Sequence, residues 1–269
     1  MSRFLDTMVA RSHRRAEEAA AHRSLRLRRE SVLAGPEPLP LSGFGALFDL
    51  IAEVKPRSPS EGLFPNRSPA ETALAYQAGG AGMISVLTEP SEFGGSIDML
   101  RDVATAVSIP VLAKDFLVDP IQVYEAREAG ADGVLVIARI LSTESLIGIL
   151  DAVSDSGIFA LLEAFDEDDL EQIRNVMAGR RNLLAGVNCR DLDTLEVIPE
   201  RHVTLSGHIP GDAVTVAESA IAAPADVERV AGCGYRAALV GSALMRTDDP
   251  ALLVSEMVDA GRRRVTVPS

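Results

Sequence analysis

Cysteine is scarce in this chain. Cys189 and Cys233 are the only two, too few for a disulfide framework. Four scattered histidines, His13, His22, His202 and His208, have no metal-ligand spacing with them, so no metal centre is expected. Free thiols and no disulfides fit a reducing cytoplasm. No apolar run is long enough for a bilayer and no signal-peptide core opens the chain, so no membrane partner is expected. Positive charge is in deficit as well: 26 Lys and Arg face 39 Asp and Glu, a formal net charge of −13. Polyanions bind through cationic contacts that release counterions, so nucleic acid is not an expected partner, whereas a phosphorylated small molecule remains open because local groups decide it.

Two further absences concern architecture. No low-complexity linker divides the 269 residues, and with 47% hydrophobic content they suffice for one large core. No Gly-rich dinucleotide fingerprint follows the first β-rich run, where "KPRSPSEG" stands instead, which argues against an open doubly wound sheet. Residues 11–30, "RSHRRAEEAAAHRSLRLRRE", carry the arginines of a transit peptide, but Glu17, Glu18 and Glu30 do not belong in one; a solvated amphipathic helix is expected.

What the chain does have is alternation. From residue 48 onward, β-rich runs at 50–55, 82–88, 109–115, 132–138, 158–164, 183–189, 212–219 and 237–242 are separated by helical patterns. "SPAETALAYQAGG" opens with a Ser-x-x-Glu cap, "DPIQVYEAREAGA" has Asp119 and Pro120 at its start, and "DEDDLEQIRNVMAG" gathers acids in its first turn. Strands joined by crossover helices run parallel and are covered on both faces, which explains runs that are apolar throughout. Eight such units predict the α/β class and a closed (β/α)8 TIM barrel. Residues 1–47 are read as an N-terminal helical extension packed on one end of the barrel and 48–269 as the barrel, a single domain overall.

Active sites of such barrels lie at the C-terminal strand ends. There the sequence places Glu53 and Lys55, then Lys114 and Asp115, Glu163, Asn188 and Arg190, Glu218 and Ser219, and Gly241 with Ser242. Glu53 and Lys55, two apart, share one face of a strand. Singly each has a plainer account: a structural ion pair, a loop hydrogen-bonder, an Arg190–Asp191 surface pair. Together, two lysines and three glutamates at one mouth are mutually perturbed ionisable groups of the kind acid–base chemistry requires, and a costly route to mere stability. "ESAI" and "VGSALM" place small residues and hydroxyls where backbone N–H groups can hold a phosphate, or else turn the chain tightly into a helix.

"IAEVKPRSPSEG", "LAKDFLVDPIQVYEAREAGADGVLVIARIL", "GVNCRDLDTLEV", "VAESAI" and "LVGSALMRTDDP", in that order, resemble the indole-3-glycerol-phosphate synthase family, with similarity from about residue 5 to about residue 260. The resemblance implies closure and aromatisation of the indole ring of 1-(2-carboxyphenylamino)-1-deoxyribulose 5-phosphate, with loss of carbon dioxide and water and without metal or organic cofactor. It implies that Lys114 is a general acid at the keto oxygen, that Glu163 and Lys55 are the acid–base pair for dehydration, and that Glu53 and Asn188 position and polarise. Ser58, Phe93, Phe116, Arg190, Glu218 and Ser219 would contact substrate, the two phenylalanines as an apolar wall for its aromatic ring. Ser58, Ser219, Ala220, Gly241 and Ser242 would surround the phosphate. An effective lysine acid would have its pKa tuned downward by desolvation or by a neighbouring cation such as Lys55.

Four positions depart from the family pattern. Pro56 follows Lys55, Glu61 replaces a common Lys, Phe165 stands where His is frequent, and Ala220 replaces a usual Gly, with a Cβ that would crowd the anion or resist a positive φ. The alternatives are a paralogue acting on a substituted anthranilate-derived substrate and a catalytically silent phospho-ligand-binding barrel. Phosphoribosylanthranilate isomerase fits less well, because Cys189 lies on the sixth strand and not early in the barrel. Oligomeric state is not legible, and a monomer is the expectation.

Overall fold

The computed structural model describes residues 3–192, 194–211 and 213–265. Eight parallel strands close into a barrel: β1 (Asp49–Val54), β2 (Met83–Leu87), β3 (Val111–Lys114), β4 (Gly133–Ile137), β5 (Phe159–Ala164), β6 (Leu183–Asn188), β7 (Val214–Glu218) and β8 (Ala237–Val240). Closure is made by β1 pairing with β8 on one side, Asp49 opposite Ala237, and with β2 on the other, Ile51 opposite Met83. All eight expected strands are present. Asp212, expected in the seventh, lies outside the described residues, as do residues 1–2 of the extension and 266–269 of the barrel range.

The helices are α1 (Arg3–His22), α2 (Leu25–Leu33), α3 (Pro69–Ala78), α4 (Ile97–Ala106), α5 (Pro120–Glu128), α6 (Thr143–Asp155), α7 (Glu167–Met177), α8 (Arg201–Leu205), α9 (Pro224–Gly232), α10 (Ser242–Arg246) and α11 (Pro250–Arg262). Their starts follow from the caps. Ser68 accepts from the Glu71 N–H, Asp119 and Gln122 form a reciprocal capping box around Pro120, and Asp166 accepts from the Asp169 N–H. No helix among the described residues is long and apolar enough to cross a membrane.

Each strand divides its residues between two cores. Leu50, Ala52, Val136, Leu162 and Val187 face the surrounding helices, while Ile51, Met83, Leu112, Leu135, Leu161, Leu184, Val216 and Leu239 fill the barrel. Following the inward set toward the C-terminal ends, in steps of two, gives Glu53, Lys114, Glu163, Asn188 and Glu218. The candidate site groups are thus the last inward residues of strands whose earlier inward residues are mostly packed aliphatics. At the other end Phe159 closes the interior over Gly133, where an added Cβ would overlap the Phe159 ring. Gly133→Ala is expected to cost about 1–3 kcal/mol and lower the melting temperature by several degrees, readable by thermal unfolding.

The expectation of a solvated helix over residues 11–30 is corrected. The segment is two helices, and five of its seven arginines, Arg11, Arg15, Arg23, Arg28 and Arg29, are tied to the barrel. In α1, Arg15 grips Asp115 through two bonds of 2.7 Å, Arg11 reaches Glu92 at 2.7 Å, and the fully buried Ser12 donates to the Phe116 carbonyl and accepts from Gln122. In α2, Arg28 bonds Glu125 and Glu128 on α5 and Arg29 bonds Asp155. The physical reason is complementarity: small residues Ser12, Ala16 and Ala19 let α1 approach closely, and barrel acids meet its arginines. α1 therefore crosses the C-terminal mouth. Residues 34–48 then run to the opposite end, where Leu41 and Phe44 pack against the inner core.

Candidate active site

Glu53 is the hub. It is 3% exposed, and each of its oxygens takes one ammonium: Oε1 lies 3.0 Å from Lys55 Nζ and Oε2 accepts from Lys114 Nζ at 3.0 Å. Burial works to raise the Glu53 pKa, but the fields of Lys114 and Lys55 outweigh it and hold it down to about 2. These are the only two lysines among the chain's 26 basic residues.

Lys114 departs from expectation. Burial lowers its pKa, yet Glu53, Glu218 and Glu163 together overcome that and raise it above the ordinary lysine value. The expected downward tuning is overturned because the surrounding acids, Glu53 foremost, outweigh the burial that would lower it. At neutral pH, Lys114 is a fixed ammonium.

The second centre is a pair of buried carboxyls. Glu163 is raised chiefly by burial, and Glu218, which is fully buried, is raised further by burial and by Glu163. Two carboxyls so placed cannot both ionise readily, so Glu218 is the natural proton holder. Asn188 orients Glu163: its Nδ2 donates to Glu163 Oε2 at 3.2 Å, while its Oδ1 accepts from the Ser219 hydroxyl and the Arg190 N–H, both at 2.8 Å. With two donors on one side and an acceptor on the other, the amide has one orientation.

Two glycines make room for these acids. A Cβ on Gly186 would overlap Glu218 Oε1, and one on Gly241 would overlap Glu53 Oε1 and come 3.0 Å from Lys55 Nζ. Gly241→Ala is expected to displace the Glu53–Lys55 pair and cut turnover by about 10²-fold or more, since misplacement of about an ångström costs that much. Steady-state kinetics on the folded variant checks it.

Above these groups opens a cavity of about 390 Å³, a size that suits a small molecule. Of the expected site residues, Glu53, Lys55, Ser58, Phe93, Lys114, Phe116, Glu163, Asn188, Arg190, Ser219, Ala220, Gly241 and Ser242 line it. Glu218 does not. It is fully buried beneath the floor over Gly186, with Oε2 3.8 Å from Lys114 Nζ. Arg190 is not engaged as a simple surface pair; its Nη1 donates to Ser60 Oγ at 3.1 Å and to the Leu195 carbonyl at 3.0 Å.

One wall is apolar. Phe116 has Phe93 and Phe4 at ring-centroid distances of 6.2 Å each. The buried Glu89 carboxylate, held low by hydrogen bonds that outweigh its burial, accepts from the Ser91, Glu92 and Phe93 N–H groups and so fixes the Phe93 loop. Phe4, Leu192, Leu195, Val197 and Arg246 also line the cavity and were not foreseen. Phe4 shares a face of α1 with Met8 and Ser12, and that spacing is the signal that could have found it.

At the opposite wall Ser219 and Ala220 have φ of 64° and 56°. Ala220 thus adopts the left-handed conformation its Cβ disfavours. Ala220→Gly relieves this, with an expected gain of up to about 1 kcal/mol in a denaturant melt. The Ser58 hydroxyl, on a residue only 6% exposed, has no hydrogen-bond partner among the described residues.

Behind this wall His202 is fully buried, its Nε2 3.2 Å from the Glu218 carbonyl oxygen. Burial, with help from Arg229 and Arg201, lowers its pKa to about 4. The unfolded imidazole takes its proton near pH 6.5, the folded one only near 4, so protonation favours unfolding within that window. Stability complete above about pH 6.5 should fall by about 3 kcal/mol as pH drops to about 4. Urea melts of the unmodified chain and His202→Gln should differ by this slope, and parallel curves would contradict it.

A family model described as Indole-3-glycerol phosphate synthase matches residues 39–257. The chain is 41% identical over 252 residues to the indole-3-glycerol phosphate synthase of Mycobacterium leprae, covering 92% of this chain and 91% of that one. It is 45% identical over 218 residues to the protein of that name from Parafrankia sp., covering 81% and 80%. Among solved structures it resembles 3-hexulose-6-phosphate synthase from Salmonella typhimurium, with a TM-score of 0.63, 17% identity and coverage of 81% of this chain and 100% of that one. Orotidine 5'-phosphate decarboxylase from Pyrococcus horikoshii gives 0.61 and 13%, with coverage of 79% and 99%. At such identities these two speak for the barrel alone.

Proposed function

The chain belongs to the indole-3-glycerol phosphate synthase family, and we propose that it is a carbon–carbon lyase of tryptophan biosynthesis that closes the indole ring of 1-(2-carboxyphenylamino)-1-deoxyribulose 5-phosphate. The observation that carries this reading is the placement of Lys114, an ammonium held by Glu53 at the end of an apolar strand and facing a cavity with an aromatic wall on one side.

The substrate's aromatic ring packs on Phe4, Phe93 and Phe116, and its phosphate lies with Ser58, Ser219, Ala220, Gly241 and Ser242. The ring carbon that bears the carboxylate attacks the keto carbon. Negative charge gathers on the keto oxygen as the new carbon–carbon bond forms, and a preorganised ammonium stabilises that charge more than it stabilises the ground state. An alkoxide is far more basic than an amine, so Lys114 with a raised pKa still delivers its proton. Loss of carbon dioxide returns the electron pair to the ring and restores its aromaticity. Dehydration follows: Lys55 protonates the departing hydroxyl, and Glu163, held by Asn188 and backed by the proton on Glu218, takes the proton whose loss completes the indole.

The proposal extends to a cytoplasmic enzyme that works as a monomer. The chain has no tryptophan, so indole fluorescence from the product rises over a dark background. Mixing protein and substrate should yield one indole and one carbon dioxide per substrate consumed. A folded protein that binds the substrate and forms neither product would overturn the reading.

A further inference from the structure

Glu61 lines the mouth, and the chemistry leaves it unused. It lies on the loop after β1, where Arg57–Ser58 and Gly62–Leu63 pair as a small antiparallel ladder. The loop reaches across to the β8 end: Ser242 Oγ donates to Glu61 Oε1 at 2.6 Å, Arg246 Nη2 lies 2.7 Å from Glu61 Oε2, and Arg190 Nη2 lies 3.9 Å from Oε1. Phe64, at the foot of the loop, stands 5.4 Å from Lys55 Nζ and 5.7 Å from the Arg246 guanidinium carbon. The carboxylate is thus an anion bound by a hydroxyl and two guanidinium groups. Ser242 is also one of the groups assigned to the phosphate, and Ser58 nearby keeps a buried hydroxyl without a hydrogen-bond partner among the described residues.

We propose that Glu61 is an internal surrogate for the substrate phosphate: it occupies Ser242 and Arg246 in the free protein, and the incoming phosphate displaces it. This rests on the phosphate position assigned under the proposed function. A phosphate monoester and a carboxylate compete for the same donors, and two anions cannot share them without strong repulsion, so binding requires the carboxylate to leave. Arg246 then passes from Glu61 to the phosphate. The loop, freed of its contact with Ser242, re-forms over the bound ligand. Glu61 in this way sets the affinity for the phosphorylated end of the substrate without touching the reacting atoms.

The test is calorimetric titration of inorganic phosphate into the unmodified chain, Glu61→Gln, Glu61→Ala and Arg246→Ala. Both Glu61 variants should bind phosphate about 3- to 10-fold more tightly, because they remove the competing charge. Arg246→Ala should bind it more weakly. KM for the phosphorylated substrate should fall in the Glu61 variants, while the affinity for a substrate analogue lacking the phosphate stays unchanged. Phosphate affinity that is unchanged or weakened in both Glu61 variants would overturn the proposal, as would an equal gain for the phosphate-free analogue, which marks a general loosening of the loop. Inorganic phosphate needs no turnover, so a failure of the ring-closing assignment would show separately, as a chain that binds phosphate and forms no indole.

Discussion

Lys114→Met should lower turnover by at least about 10³-fold while leaving the barrel folded. General acids and oxyanion donors are each worth roughly 10²–10⁴ in rate, and this one ammonium serves as both. Met has a similar length and no charge, so the cavity keeps its shape. The cost to stability should be small. Lys114 contributes an ion pair, but it is also a desolvated charge, and replacing a buried charge by an apolar group of similar size often comes close to neutral. Glu53 retains Lys55 as a partner at 3.0 Å. Its pKa should nevertheless rise from about 2, since the larger of the two cationic fields that depress it is gone. The measurements are indole formation under saturating substrate and a denaturant melt. Near-normal turnover in a folded variant would remove Lys114 from the mechanism.

Glu163→Gln should be comparably impaired but at a different step. The amide keeps the shape and can still hydrogen-bond to Asn188, yet it cannot take a proton. Ring closure and decarboxylation depend on Lys114, which remains, whereas dehydration loses its base and should slow by about 10²–10⁴-fold. A single turnover should therefore release carbon dioxide without a matching rise in indole fluorescence, and mass spectrometry should find a decarboxylated, still hydrated intermediate. Carbon dioxide and indole appearing together at one reduced rate would place Glu163 in ring closure instead. Loss of a negative group beside Lys114 should also let that lysine's pKa fall back, because Glu163 is one of the three acids that raise it.

The barrel was legible because its signal repeats. Eight apolar runs separated by capped helices leave few topologies, and reading inward residues in steps of two places Glu53, Lys114, Glu163, Asn188 and Glu218 at one end before any contact is known. Depth was not legible. Glu218 occupies the same strand-end position as the others, yet the missing Cβ of Gly186 lets it sink below the cavity floor, a relation between β6 and β7 that neither segment carries by itself. The direction of the Lys114 shift is hidden for a similar reason: sequence position names the neighbours, while the balance of the nearby acids against burial depends on distances. The N-terminal arginines looked like solvent-facing charges because their acidic partners, Asp115, Glu125, Glu128 and Asp155, lie about a hundred residues away. Phe4 entered the cavity wall by the same long-range route.

The most direct test of the site is a crystal structure with an analogue whose keto group is reduced to an alcohol, which cannot be attacked and so stays bound. The account predicts the alcohol oxygen within hydrogen-bond distance of Lys114 Nζ, the aromatic ring on Phe93 and Phe116, and the phosphate at Ser219, Ala220, Gly241 and Ser242. An analogue bound with its phosphate elsewhere, or with Lys114 still closed on Glu53 and turned from the alcohol oxygen, would contradict it.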